Sequence, residues 1–212
     1  MSWNMKSGGG DFDNPKPGVY PMRCYMVAQI GTHHNVYEGK ENIRFQVVLG
    51  FELPTSLIKT GELEGLPHGL SIFYTMSLGR NSNLLRDLQI WKGKNFTSQQ
   101  QKDSFQLPSM IGLCCFGQVK ENDNGKMIIG AIMQLPEGTE VPKSVNKPII
   151  FDLEDYLAGD ETVYQRLPNW IKEKYIAECD EVKQRLLNSG TAGGASEDDG
   201  FDDDGQDSSV PF

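Results

Sequence analysis

Residues 81–93 read NSNLLRDLQIWKG. Leu84, Leu85, Leu88 and Trp91 recur at the spacing of one helix face. Asn81 or Ser82 can cap the start by accepting a hydrogen bond from a first-turn amide, and Gly93 can end the helix in a left-handed conformation. This helix decides the fold because the segments on either side of it alternate with a period of two.

Three strands precede it. In GVYPMRCYMVAQI (18–30) the residues Tyr20, Met22, Cys24, Met26, Ala28 and Ile30 fall on one face, and Arg23, Tyr25 and Gln29 on the other. In KENIRFQVVLGFEL (40–53) the apolar face is Ile43, Phe45, Val47, Leu49 and Phe51, against Asn42, Arg44, Gln46 and Glu52, with Gly50 marking a bend or bulge. GLSIFYTMSL (69–78) is the third strand, with Ile72, Tyr74 and Met76 inward and Phe73 outward. Two more strands follow the helix and a polar insert. They are SMIGLCCFGQVKE (109–121) and KMIIGAIMQL (126–135), joined by the hairpin signal NDNG. KPIIFDL (147–153) adds a sixth. Three strands, a helix and two strands is the element order of the OB-fold, a small Greek-key barrel. The expected fold is therefore mainly β: an OB barrel with its helix between strands three and four. A C-terminal helical stretch (160–187) carries Ile171, Tyr175, Cys179, Val182 and Leu186 at helical spacing. These side chains either cover the barrel or face a second copy, so a homo-oligomer is among the expected assemblies. The chain divides into a Gly-rich terminus (1–17), the barrel (18–154), a helical segment (155–188) and an acidic tail (189–212) too polar to order itself.

Charge first argues against nucleic acid, since 29 acids face 20 bases, a net of −9. Seven of the acids, with no base among them, lie in 189–212; what remains is 22 acids against 20 bases, a net of −2. The body is nearly neutral and can carry a local basic face. No apolar run is long enough to span a bilayer, and the N-terminus has no apolar signal stretch, so a cytoplasmic location without membrane attachment is expected. Cys24, Cys114, Cys115 and Cys179 form no C-x-x-C pair and read as buried free thiols.

Catalytic signatures are missing. There is no phosphate loop, no G-x-S-x-G and no H-E-x-x-H, and the adjacent His33 and His34 lack partners at metal-ligand spacing. No enzyme activity, cofactor or metal is expected. A single-strand binding surface fits better, since it needs cations to neutralise phosphates and aromatic rings on which bases stack. Arg23, Tyr25, Arg44 and Phe73 are read on the outward strand faces. The loop between strands one and two adds Tyr37 and Lys40, and the hairpin between strands four and five adds Lys120. Around the helix, Arg80, Arg86, Lys92 and Lys94 bracket Trp91, with Phe96 just beyond. Of these, Arg80, Lys92, Lys94 and Phe96 are read as contacts. Trp91 completes the helix stripe and is read as core, Trp170 as packing, and Phe73 is either a base platform or covered by the sixth strand or the C-terminal helix.

The last residues, Asp207, Val210, Pro211 and Phe212, resemble the acidic, D-D-I-P-F-like ending of bacterial single-stranded DNA-binding proteins; Ser208 and Ser209 stand where acids are usual, and Val210 where isoleucine is. The body is longer than the bacterial protein. Its segments GVYPMRCYMVAQIG, YEGKENIRFQVVLGFEL and SLGRNSNLLRDLQIWKGKNF look like those of phage-encoded single-stranded DNA-binding proteins and related phage replication or recombination proteins, over residues 15–187. The resemblance implies an OB-fold, sequence-independent binding of single-stranded DNA in the host cytoplasm, and recruitment of replication or recombination proteins through the tail. The competing expectation is an acidic interaction protein, a DNA mimic or adaptor, that holds a host replication protein without touching DNA.

Overall fold

The computed structural model describes residues 13–37 and 39–191. Its elements are β1 (Gly18–Tyr37), β2 (Lys40–Leu57), β3 (Pro67–Thr75), α1 (Asn83–Lys92), α2 (Gln99–Asp103), β4 (Cys114–Glu121), β5 (Met127–Met133), β6 (Ile149–Phe151), α3 (Leu153–Leu157), α4 (Asn169–Ile171) and α5 (Asp180–Thr191). A π-helical turn, Lys172–Ile176, joins the last two helices. The fold is mainly β, with α1 between β3 and β4 as the sequence predicts.

The sheet runs β3-β2-β1-β4-β5, each neighbour antiparallel, while β6 pairs in parallel with Met26–Ala28 of β1. One edge of β1 is thus shared: Gly18–Arg23 pair with β4, and the next stretch with β6. The closed barrel expected from the element order does not form. β3 and β5 approach within 8 Å (Cα–Cα) but are not joined by a ladder. Side chains of α1 bridge them instead: Leu84, Leu88 and Trp91 share one core cluster with Tyr74 of β3 and with Ile129 and Ile132 of β5. The helix is fixed by its ends. Ser82 Oγ accepts from Leu85 N–H, and Gly93 takes the left-handed conformation (φ 62°) that lets its N–H reach back to the last carbonyls. The Trp91 indole N–H donates to Cys114 O at 2.8 Å, which satisfies its polar atom inside the core.

The sheet is apolar on both faces, and a bulge explains how. β1 and β2 lose register between Cys24 and Met26, which leaves Tyr25 as the extra residue. An inserted residue flips every following side chain to the other face. Met22 and Cys24 therefore enter the first core with Val27, whereas Met26, Ala28 and Ile30 enter a second core. This corrects the single inward face read along 18–30. Gly50 lies opposite the bulge, where a methyl group would meet Met26 Cε at 2.8 Å. The second core is built by β6, α3, α4 and the π turn through Phe151, Leu153, Ile171, Ile176 and Cys179. Three other inward assignments also change: Ile43 and Met76 are exposed, and Phe45 packs in the second core.

The four cysteines are free. Burial pushes the Cys24 thiol up to about 12 and raises that of Cys115 too, so both behave as small apolar side chains. No described helix is long and apolar enough to cross a membrane.

Candidate nucleic-acid interface

At the end of β3 the chain turns through Ser77–Ser82 into α1, and this turn forms one wall of a cleft of about 570 Å³. The opposite wall is β2, which contributes Arg44 and Gln46. Phe73 forms the floor with Tyr74 and Thr75, and Arg80, Asn81, Ser82 and Asn83 close the far side. The register explains the floor. Tyr74 faces Val47 and turns into the first core, where its hydroxyl donates to Asp87 Oδ2 at 2.9 Å; Phe73 faces Val48 and turns the opposite way. Burial raises the Tyr74 hydroxyl well above the ordinary tyrosine range, so it serves as a fixed donor. The first turn of α1 carries no acid, and its amide dipole end adds to the positive field of Arg44 and Arg80. Arg86 does not line this cleft; its guanidinium pairs with Asp87 at 2.9 Å.

A second cleft, about 490 Å³, lies past the other end of α1 and is lined by Lys92, Lys94, Phe96, Gln101 and Phe105 among others. Lys92 Nζ sits 5.3 Å from the Phe96 ring centroid and 4.7 Å from that of Phe105, and the two rings meet edge-on at 5.3 Å. A lysine over two half-exposed rings is a cation–aromatic site with its head still able to meet a phosphate. A third cleft of about 300 Å³ links the two, sharing Ser77 with the first and Phe105 and Gln106 with the second.

The sequence-derived candidates divide accordingly. Arg44, Phe73 and Arg80 come together in the first cleft, and Lys92, Lys94 and Phe96 in the second. Lys40 and Lys120 are exposed on two separate hairpins and line none of these clefts. Tyr37 ends β1, with its side chain outside the described residues. Arg23 is not on an open face. It pairs at 3.5 Å with Glu52, a wholly buried carboxylate, and only 13% of its own side chain is exposed. Tyr25 is the bulge residue, packed against the second core, and burial raises its hydroxyl above the usual range. Alternation places both opposite Met22 and Cys24, as found, but that face is not open: the segment before β6 reaches Glu52 beside Arg23, and the second core covers Tyr25. Asp207, Val210, Pro211 and Phe212 lie outside the described residues.

Three features escaped the sequence. Phe105 sits in a polar insert without periodicity, so nothing marked it. Trp170 and Tyr175 pack as expected, and the structure adds that their partner is Phe73, at 5.9 and 4.8 Å between ring centroids. The signal for them was present in the ladder Ile171/Ile176, whose five-residue spacing does not fit an α-helix. The histidines of the β1–β2 hairpin are engaged within the protein: His33 Nε2 with Ile30 O at 2.9 Å, and His34 with Glu41 of the hairpin and Asp180 of α5 at 2.7 Å each. Among the described residues no group of three His, Cys, Asp or Glu side chains converges on a metal-sized site. In comparisons with known proteins, no family model matches the chain, and neither a curated protein nor a solved structure matches it significantly.

Proposed function

We propose that the protein binds single-stranded DNA without sequence preference and performs no catalysis. The observation that carries this reading is the connected line of clefts, with Arg44, Phe73 and Arg80 at one end and Lys92, Lys94, Phe96 and Phe105 at the other. Cations beside accessible rings are what a single strand needs: phosphates are neutralised, and unpaired bases stack on any aromatic face. A duplex hides its bases and has no use for the rings. The strand order β3-β2-β1-β4-β5, with α1 between β3 and β4, supports reading the sheet as an OB-type arrangement whose β3/β5 seam stays open. In that fold the face of strands two and three binds the oligonucleotide; Arg44 is on β2 and Phe73 on β3.

Within this reading the acidic stretch 189–212 competes with DNA for the cationic clefts, and its Asp207, Val210, Pro211 and Phe212 recruit replication or recombination proteins, in a phage setting in the host cytoplasm. The test is an anisotropy titration of a labelled mixed-sequence single strand and its duplex at two salt concentrations. Preference for the single strand, weakening with salt through counterion release, is expected. No affinity for either at moderate salt would overturn the proposal in favour of an interaction protein that does not touch DNA.

A further inference from the structure

We propose that Trp170 and Phe73 together form a base-stacking platform, to which the C-terminal helical segment contributes half. This rests on the single-strand reading above and extends it to a segment outside the sheet.

Phe73 and Trp170 are 39% and 37% exposed, and their rings meet edge-on with centroids 5.9 Å apart. Tyr175 supports both, 4.8 Å from Phe73 and 5.9 Å from Trp170. Three rings in mutual contact, two of them partly open to solvent, form a small apolar surface beside the cations of the first cleft. Trp170 stays partly in water while its neighbours anchor it: Leu167 and Ile171 are 3% and 0% exposed in the second core.

The local backbone is built to hold this arrangement. Ala177 N–H donates to Lys172 O at 2.9 Å, across five residues, which closes the π turn. That wide turn lets Ile171 and Ile176 both reach the core, each 0% exposed. In an uninterrupted α-helix, residues five apart point to different sides, and one of the two would leave the core. Such turns cost hydrogen-bond geometry and concentrate at functional sites; here the turn carries Tyr175 onto Phe73. Phe73 also lines the cleft of Arg44 and Arg80, so the platform adjoins two guanidiniums that can neutralise the phosphates of a stacked strand. Stacking tolerates every base, and the ligand class is therefore a single strand of any sequence.

The experiment uses the full chain with Trp3→Phe, so that the fluorescence change reports on exposed Trp170 rather than on Trp91, which is 5% exposed. Titration with oligo(dT) is expected to quench the emission. In anisotropy, Trp170→Ala is expected to bind oligo(dT) about ten-fold more weakly, which corresponds to about 1.4 kcal/mol of stacking. Trp170→Phe should retain most of the affinity. Absence of quenching while oligo(dT) binds normally overturns the platform and leaves the single-strand reading standing. Equal losses in Trp170→Phe and Trp170→Ala also overturn it, because a smaller ring still stacks. If the unsubstituted chain does not bind oligo(dT), the underlying reading fails instead.

Discussion

Glu52 Oε2 accepts hydrogen bonds from both the backbone N–H and the side-chain Nδ2 of Asn146, each at 2.9 Å, across 94 residues of chain. The same oxygen accepts from Val145 N–H at 3.2 Å, and Oε1 faces the Arg23 guanidinium. One buried carboxylate thus ties the segment before β6 to the sheet. Glu52→Ala would leave Arg23 and two backbone amides without this acceptor. A loss of about 3 kcal/mol in urea unfolding is expected, the size seen when one partner of a buried pair is removed. Glu52→Gln keeps an acceptor oxygen without the charge and should fall between Ala and the unsubstituted chain.

Gly31 is where the C-terminal segment touches β1. Its φ is 83°, and a methyl group there would lie 2.5 Å from Cys179 Cβ and 2.7 Å from Glu181 Oε2. Gly39 has a similar φ of 73° with nothing within 4 Å of a methyl group. Gly39→Ala should therefore cost the left-handed strain alone, about 1 kcal/mol. Gly31→Ala should cost at least about 2 kcal/mol, and amide exchange in α5 should rise with it. Equal costs at the two glycines would show that Cys179 yields without resistance.

Much of this fold is legible in the sequence, and the exceptions have physical causes. α1 is legible because its cap, stripe and terminal glycine agree. The pairing of β1 with β2 is legible from alternation, but the face of β1 is not, since a bulge at Tyr25 leaves no periodic mark. A cue existed in Met26-Val27-Ala28 and Val47-Val48-Leu49, continuous apolar runs that mean burial on both faces. That cue would have warned that Arg23 and Tyr25 face a covered surface. Arg44, Phe73 and Arg80 are identifiable one by one, as two residues within strands and one in a turn. Their convergence depends on how β3 hands over to α1, which spacing does not encode.

His34 makes the junction between the hairpin and α5 sensitive to pH. Its ring nitrogens contact Glu41 and Asp180, and those two acceptors raise its pKa above the ordinary 6.5. A neutral imidazole has one N–H and can donate to one of them only. Because the folded value is the higher one, the stabilisation is complete below about pH 6.5 and is lost as pH rises through the folded value. The melting temperature of the unsubstituted chain should exceed that of His34→Gln at about pH 6 and match it by about pH 9. A gap that persists at the higher pH would mean the contacts do not depend on the proton.

Shortening the chain to end at Ala195 removes all seven acids of the segment 189–212. If those charges compete with DNA for the clefts, single-strand affinity should rise at low salt, and the gain should vanish near molar salt, where screening is complete within about 3 Å. Weaker DNA binding after truncation would refute the competition.

The two kinds of arginine should separate cleanly. Arg44 and Arg80 share the first cleft, whereas Arg23 is held by Glu52 beneath the surface. Each phosphate contact on a single strand adds about 0.7 to the slope of log affinity against log salt. Arg44→Ala with Arg80→Ala should therefore weaken binding to all sequences alike and lower that slope by about 1.4, with little change in urea midpoint. Arg23→Ala should do the reverse, lowering the midpoint while leaving the slope intact. A slope that falls with Arg23→Ala, or holds in the Arg44/Arg80 double variant, would take the binding surface away from the first cleft.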